Sequence, residues 1–273
     1  MAQDASLRTD RDLTEHNRRM WDRLARAGIP YTKPQGRPPR SLPALRRFLD
    51  PDGRLRGVRL KGARVLALAA GGGWDAVIFA MLGAETTLVD ISAIQLRTTR
   101  ELARQKGVSI KTARLDMSDL SRFSDGSFDV VWQCHSLVFV RNVRKVFREV
   151  GRVLAPGGTY LTTTMHPTTI RLYGRYAGGG WQPRLSYFDD RAMPYKNEAD
   201  VTWEFGRTRV IAPTIEFGHT VQTLVNGIVE GGMVVDGLWE YSPGEPDLKA
   251  KPGSDGHLES LFPAFIEIRA RKL

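Results

Sequence analysis

The residues best suited to chemistry cluster in a glycine turn and in the carboxylates that follow it. Val65-Leu-Ala-Leu-Ala-Ala-Gly-Gly-Gly-Trp-Asp-Ala76 reads as an apolar strand running into glycines and then a helix. Glycines there let the backbone approach a ligand closely, and the first helical turn offers N–H groups without partners. Alone, the turn has two readings. It is either a tight strand-to-helix connection or the G-x-G-x-x-A form of a dinucleotide loop, which Gly71 to Ala76 satisfies. Asp90 ends the next apolar run, 17 residues after Gly73. A carboxylate at that strand end can accept both hydroxyl protons of a ribose. Its structural alternative is to cap the next helix, a role equally open to Ser92.

Five histidines are candidates for proton transfer near neutral pH. His135 follows the fourth apolar run, His166 ends the fifth before Pro167, and His219 opens a C-terminal helix. These three are the candidate proton acceptors. Each also has a structural reading, as a pocket wall, a strand end fixed by proline, or a helix cap. His16 and His257 read as solvent-exposed, or for His16 as part of the N-terminal helix. Cys134 is the single cysteine, so neither an intrachain disulfide nor a multi-thiolate zinc site can form. It reads as a small buried neighbour of a ligand rather than a nucleophile.

These residues need a scaffold, and the apolar pattern supplies one. Strands are expected at Arg64–Ala69, Thr86–Asp90, Ser109–Leu115, Phe128–Trp132 and Tyr160–Met165, with helices at 74–82, 93–105 and 142–154. Alternation of buried strands with helices is the signature of a parallel sheet covered on both faces. The ligand crevice then lies at the C-terminal strand ends. Ahead of this come helices at 12–26 and 42–49. After His166-Pro167 the alternation stops, and 167–217 is rich in Gly, Tyr, Trp, Arg and Pro, with short strands expected around 201–211. A helix at 220–230 and strands at 233–241 and 265–270 follow. The expected division is an N-terminal helical cap at 1–60 and a main domain at 61–273 with a lid insertion at 167–217.

Composition narrows the class. The chain has 273 residues, 41% hydrophobic and 26% charged, which excludes extended disorder, collagen-like repeats and a disulfide scaffold. The polar N-terminus lacks the apolar core of a signal peptide, and no apolar run approaches membrane-spanning length. The expectation is a soluble protein of a reducing cytoplasm. The net charge of +10 raises the question of a nucleic-acid partner. Residues 1–60, however, hold 14 Lys/Arg against 7 Asp/Glu, whereas 61–273 hold 26 against 23. The surplus fits a solvated arginine face on the N-terminal helix.

Further landmarks appear in order: Leu115-Asp-Met-Ser-Asp-Leu120, Ser127-Phe-Asp-Val-Val131 and Arg152-Val-Leu-Ala-Pro-Gly-Gly-Thr159. With the glycine turn and Asp90, this set resembles the class I S-adenosylmethionine-dependent methyltransferases, in particular the broad type 11 group, over about residues 63–166. The resemblance implies a Rossmann-like three-layer α/β/α sandwich with a mostly parallel seven-stranded sheet and an antiparallel last strand. It implies S-adenosyl-L-methionine as cofactor and S-adenosyl-L-homocysteine as product. Gly71 and Gly73, with the backbone of Ala69 and Ala70, would then underlie the methionine part. Asp90 would hold the ribose and Ile91 would pack on adenine. Asp116 would accept the adenine amino group, and the Met117 backbone would donate to the ring. Cys134 and His135 would border the methionine moiety and the transferring methyl. One departure is notable: Ala67 stands where many members carry an acidic residue, and Ala69 where they carry glycine. Backbone carbonyls, or a side chain such as Gln133, could replace that carboxylate as anchor of the methionine ammonium.

The expected acceptor is a small molecule methylated at O or N. The lid aromatics Tyr173, Tyr176, Trp181, Tyr187 and Trp203 are candidates for an apolar substrate wall, with lid packing as the alternative for at least half of them. Three other readings compete. RNA methylation rests on the arginines alone, with no appended RNA-binding domain and no Asn-Pro-Pro-Tyr-like tetrapeptide. A non-catalytic cofactor-binding protein rests on Ala67. A nicotinamide oxidoreductase rests on G-x-G-x-x-A, against the Asp116 and Pro156-Gly-Gly158 landmarks.

Overall fold

The computed structural model describes residues 9–195 and 198–273, so the N-terminal residues that bear on a signal peptide lie outside the described residues. In chain order the elements are α1 (Asp10–Ala27), α2 (Leu42–Leu49), β1 (Arg64–Leu68), α3 (Asp75–Met81), β2 (Glu85–Asp90), α4 (Ala93–Gln105), β3 (Lys111–Arg114), β4 (Phe128–Cys134) and α5 (Val143–Val153). Then come β5 (Leu154–Met165), α6 (Thr169–Leu172), β6 (Tyr176–Ala177), β7 (Gly180–Trp181), β8 (Thr202–Phe205) and β9 (Thr208–Ile211). The chain closes with α7 (Val221–Glu230), β10 (Met233–Tyr241), α8 (Asp255–Leu261) and β11 (Phe265–Lys272).

Among the described residues, seven strands form one sheet in the order β10-β11-β5-β4-β1-β2-β3. β1 pairs in parallel with β2 and β4, and β11 enters antiparallel between β5 and β10. The last strand is therefore antiparallel, as expected, and sits second from the sheet edge. β1 is central and shielded on both faces: Val65, Leu66, Ala67 and Leu68 have no exposed surface. Alternation sends Leu66 and Leu68 into one cluster with Val146 and Val150 of α5 and Leu224 and Ile228 of α7. Val65 turns the other way, onto Leu45 of α2 and Phe79 of α3, and Ala67 packs on Ala76 and Leu96. Burying each of the larger β1 side chains contributes about 1.5–3 kcal/mol. The result is a Rossmann-like three-layer α/β/α sandwich.

Helix boundaries follow their caps. Thr9 and Asp12 form a reciprocal capping box at the start of α1, and Gly28 ends it at φ 66°. Ser92, rather than Asp90, caps α4: its side chain accepts from the Gln95 N–H, while Asp90 accepts from the Ser92 N–H. Thr220 caps α7 through the Thr223 N–H. The exposed stripe of α1 carries Arg11, Arg19, Arg23 and Arg26, matching the expected solvated face. Arg18, by contrast, is tied to Glu15 and Asp22, and Arg54 to Glu267 and the Trp239 ring.

The segment after β5 folds over the C-terminal edge of the sheet. β8 and β9 pair as a hairpin across the expected 201–211 stretch. Trp203, Phe205 and Val210 of that hairpin pack on Leu24, Ile29 and Met20 from α1 and its C-terminal loop. Buried Asn17 of α1 donates to the carbonyls of Phe139 and Ile215 and accepts from the Ile215 N–H. Arg171 has 2% exposure, and five main-chain carbonyls accept from its guanidinium: Pro167, Ser186, Tyr187, Asp189 and Gly218. No described helix is long and apolar enough to cross a membrane.

Candidate active site

The C-terminal ends of β1, β2 and β4 open into a cavity of about 570 Å³. That lies within the range of small-ligand sites, about 300–1,000 Å³. Ala69, Ala70, Gly71 and Gly73 line it from the glycine turn, Asp90 and Ile91 from the end of β2, and Cys134 and His135 from the end of β4. Trp21 of α1 and Tyr173 and Trp203 of the 167–217 segment complete the far wall. Two of its residues have left-handed backbone without being glycine: Ala69 at φ 50° and His135 at φ 53°. Such strain persists only where the surroundings hold it, and it concentrates at functional sites.

Two of the three glycines are required by their surroundings. A Cβ on Gly71 would lie 2.7 Å from the Gln95 Cβ and 2.8 Å from Asp90 Oδ2. Gly72, at φ 86°, would strike the Thr32 carbonyl. A Cβ on Gly73 would meet nothing within 4 Å, because this glycine faces the open cavity. Asp90 is 6% exposed and accepts from the main-chain N–H groups of Gly71 (2.9 Å) and Ser92 (2.8 Å). Burial is the largest influence on it and lifts its pKa to about 6, against the pull of those two donors.

Three expected residues lie elsewhere. Asp116 is absent from the cavity wall because its carboxylate is engaged: Thr14 of α1 and the Ser118 N–H and hydroxyl all donate to it. Its neighbour Met117 does line the wall. His166 is buried and uses both ring nitrogens, Nε2 toward Glu240 (2.7 Å) and Nδ1 as acceptor from the Thr168 N–H. His219 donates from Nε2 to the Leu137 carbonyl and braces the loop after β4. Neither histidine touches the cavity. Tyr176 and Trp181 pack on His257, which is half-buried rather than solvent-exposed, and Tyr187 accepts from the Val221 N–H.

His135 remains, with its ring edge-on to Phe265 at 4.7 Å. The ring is exposed to the cavity, and the protein atoms packed around it lower its pKa to about 4 by desolvation, so it is neutral at pH 7. Cys134 is pushed well above the usual thiol range by burial, which makes it a poor nucleophile. Sequence pattern did not single out Asp75, Glu216, Asp255 or Glu259, all of which line the cavity. Glu216 sits deep in the wall, where burial raises its pKa and Thr214 donates to it (2.9 Å). Tyr173 donates to Glu259 (2.6 Å).

A family described as a methyltransferase domain matches residues 66–162. The crystal structure of an S-adenosylmethionine-dependent methyltransferase from Mesorhizobium loti aligns with a TM-score of 0.61 at 25% identity, over 84% of this chain and 96% of that one. The uncharacterized methyltransferase YbaJ of Bacillus subtilis (strain 168) is 32% identical over 188 residues, 68% of this chain and 71% of YbaJ. This chain is a class I S-adenosylmethionine-dependent methyltransferase. A ubiquinone biosynthesis O-methyltransferase of Xanthomonas campestris is also 32% identical, over 128 residues. Those cover 47% of this methyltransferase and 54% of that relative, about half its length.

The cavity of this methyltransferase suits its cofactor. Gly73 leaves room for a ligand against the backbone, and Asp90 offers a buried carboxylate to a ribose diol at the end of β2. Ile91 presents an apolar side chain beside it on the cavity wall.

Proposed function

We propose that the protein methylates a small, neutral or cationic molecule at oxygen or nitrogen. Residues 1–60 would act as a cap and 167–217 as a lid over the reacting pair. The observation that carries this reading is the charge of the cavity wall. Asp75, Asp90, Glu216, Asp255 and Glu259 line it, and among the described residues no lysine or arginine does, although the chain carries a net charge of +10. A phosphate-rich acceptor entering this space would lose water without gaining a cation, which disfavours RNA. Trp21, Phe139, Trp203 and Phe265 offer aromatic faces and edges to a planar or cationic group.

Bound S-adenosylmethionine supplies an activated methyl group on its sulfonium. The protein then has to orient the acceptor, exclude water and take up a proton. His135, neutral and without a hydrogen-bond partner for its ring among the described residues, is the proposed proton acceptor. Glu216 is a second group able to hold a proton, because burial has already raised its affinity for one. The test is S-adenosylhomocysteine formation with a panel of amines, phenols, carboxylates and RNA. The reading expects turnover with amines or phenols; turnover confined to carboxylates or RNA would contradict it.

A further inference from the structure

The methionine part of the cofactor carries an ammonium group, and this chain lacks the carboxylate that many relatives place on β1. The position itself is closed: Ala67 has no exposed surface and packs on Ala76, Leu88 and Leu96. Gln133 is closed as well. Its amide nitrogen donates to Ser136 Oγ (2.8 Å) and faces Met117 Sδ (3.1 Å), while its oxygen accepts from Tyr160 Oη (2.6 Å). Both side-chain ends are therefore in use, and the residue is fully buried.

Asp75 stands differently. It is the first residue of α3, directly after the glycine turn, and lines the cavity. Its hydrogen bond to Trp132 ties it to β4, whose last residue, Cys134, also lines the cavity. Two neutral donors reach its carboxylate, the Trp132 indole N–H at 2.9 Å and its own main-chain N–H, and no lysine or arginine among the described residues pairs with it. An acidic residue in a first helical turn is ordinary on a surface, where water and the helix dipole both favour it. Here the residue is half-buried on the cavity wall, and partial loss of water raises its carboxyl pKa, with no cationic side chain beside it to offset the charge.

We propose that Asp75 receives the α-ammonium of bound S-adenosylmethionine, taking over across the glycine turn the task that Ala67 cannot perform. The inference rests on the cofactor occupying this cavity. An ammonium beside Asp75 supplies the missing positive charge, and the carboxylate retains lone pairs beyond the one that faces Trp132. The same residue then orients the methionine chain, and through it the sulfonium, toward His135.

Calorimetric titration of the full chain and of Asp75→Asn with S-adenosylhomocysteine and with 5′-methylthioadenosine tests this. The second ligand keeps the adenosine and sulfur but lacks the ammonium, and asparagine keeps an acceptor for Trp132. The expected result is S-adenosylhomocysteine affinity lower by roughly 10–100-fold in the variant, with 5′-methylthioadenosine affinity within about twofold of the parent. Unchanged S-adenosylhomocysteine affinity, or equal losses for both ligands, would overturn the assignment. Failure of the unsubstituted protein to bind either ligand would instead remove the cofactor site on which the inference stands.

Discussion

Two side chains at the cavity have proton affinities displaced in opposite directions, and both displacements trace to lost water. His135 is held neutral, with its pKa lowered to about 4. Asp90 is raised to about 6, so it binds its proton more tightly folded than unfolded. The sign follows from linkage. Asp90 favours the fold most fully below its ordinary value of 3.8, and that contribution is lost as pH rises through about 6. At neutral pH the ionised carboxylate is a cost carried for ligand binding. Ribose hydroxyls donate to the ionised form, so cofactor affinity should fall as pH drops below about 6, by about tenfold per unit. For His135, replacement by phenylalanine preserves an aromatic edge against Phe265 and removes the base. The expected outcome in steady-state kinetics is kcat lower by about 10²-fold, with S-adenosylhomocysteine binding nearly unchanged; retained kcat would shift the proton to Glu216.

At the scale of elements, Arg171 anchors the segment after β5. Its guanidinium fork reaches carbonyls on both sides of that segment, from Pro167 through Asp189 to Gly218. Arg171→Ala removes a set of charge-assisted bonds, each worth about 1.5–3 kcal/mol where buried, and lysine lacks the fork to replace them. Limited proteolysis should therefore cut the variant within 167–217 while the 64–165 region stays protected. An unchanged cleavage pattern would show that the hairpin and α1 hold the segment unaided. These elements also mark how far sequence reading reached. Helices α2 and α4 and most strands of the sheet, β10 among them, were legible to within about two residues, because burial writes a strong apolar pattern, whereas β5 begins at Leu154 rather than at the expected Tyr160. The seven-residue α8 and the two-residue strands β6 and β7 were not, being too short to carry a period. In the site, residues of the glycine turn, β2 and β4 were legible from their strand ends. Glu216, Asp255, Glu259 and Tyr31 reach the cavity from separate loops and from α8, which only tertiary folding brings together. The engagement of Asp116 by Thr14, 102 residues earlier, was not legible, because spacing along the chain gives no hint of it.

For the whole molecule, charge is partitioned rather than uniform. Arginines on the outer stripe of α1 face solvent, while the cavity beneath α1 is lined by carboxylates and aromatics. The same helix carries both surfaces, so one amphipathic element keeps the basic exterior apart from the acidic interior. α1 is also joined to the sheet side through Thr14–Asp116, Asp22–Ser92 and Lys145–Asp10, which place Trp21 over the cavity. In the reading proposed above, this acidic space is where the cofactor binds and methyl transfer occurs. Calorimetric titration with S-adenosylhomocysteine, comparing the protein with Asp90→Ala at pH 7.5 and pH 5, tests it most directly. The expected result is one molecule bound per chain, affinity about tenfold weaker at the lower pH, and an alanine variant that binds weakly and without that pH dependence. Equal affinity in the protein and the variant at both pH values would contradict it.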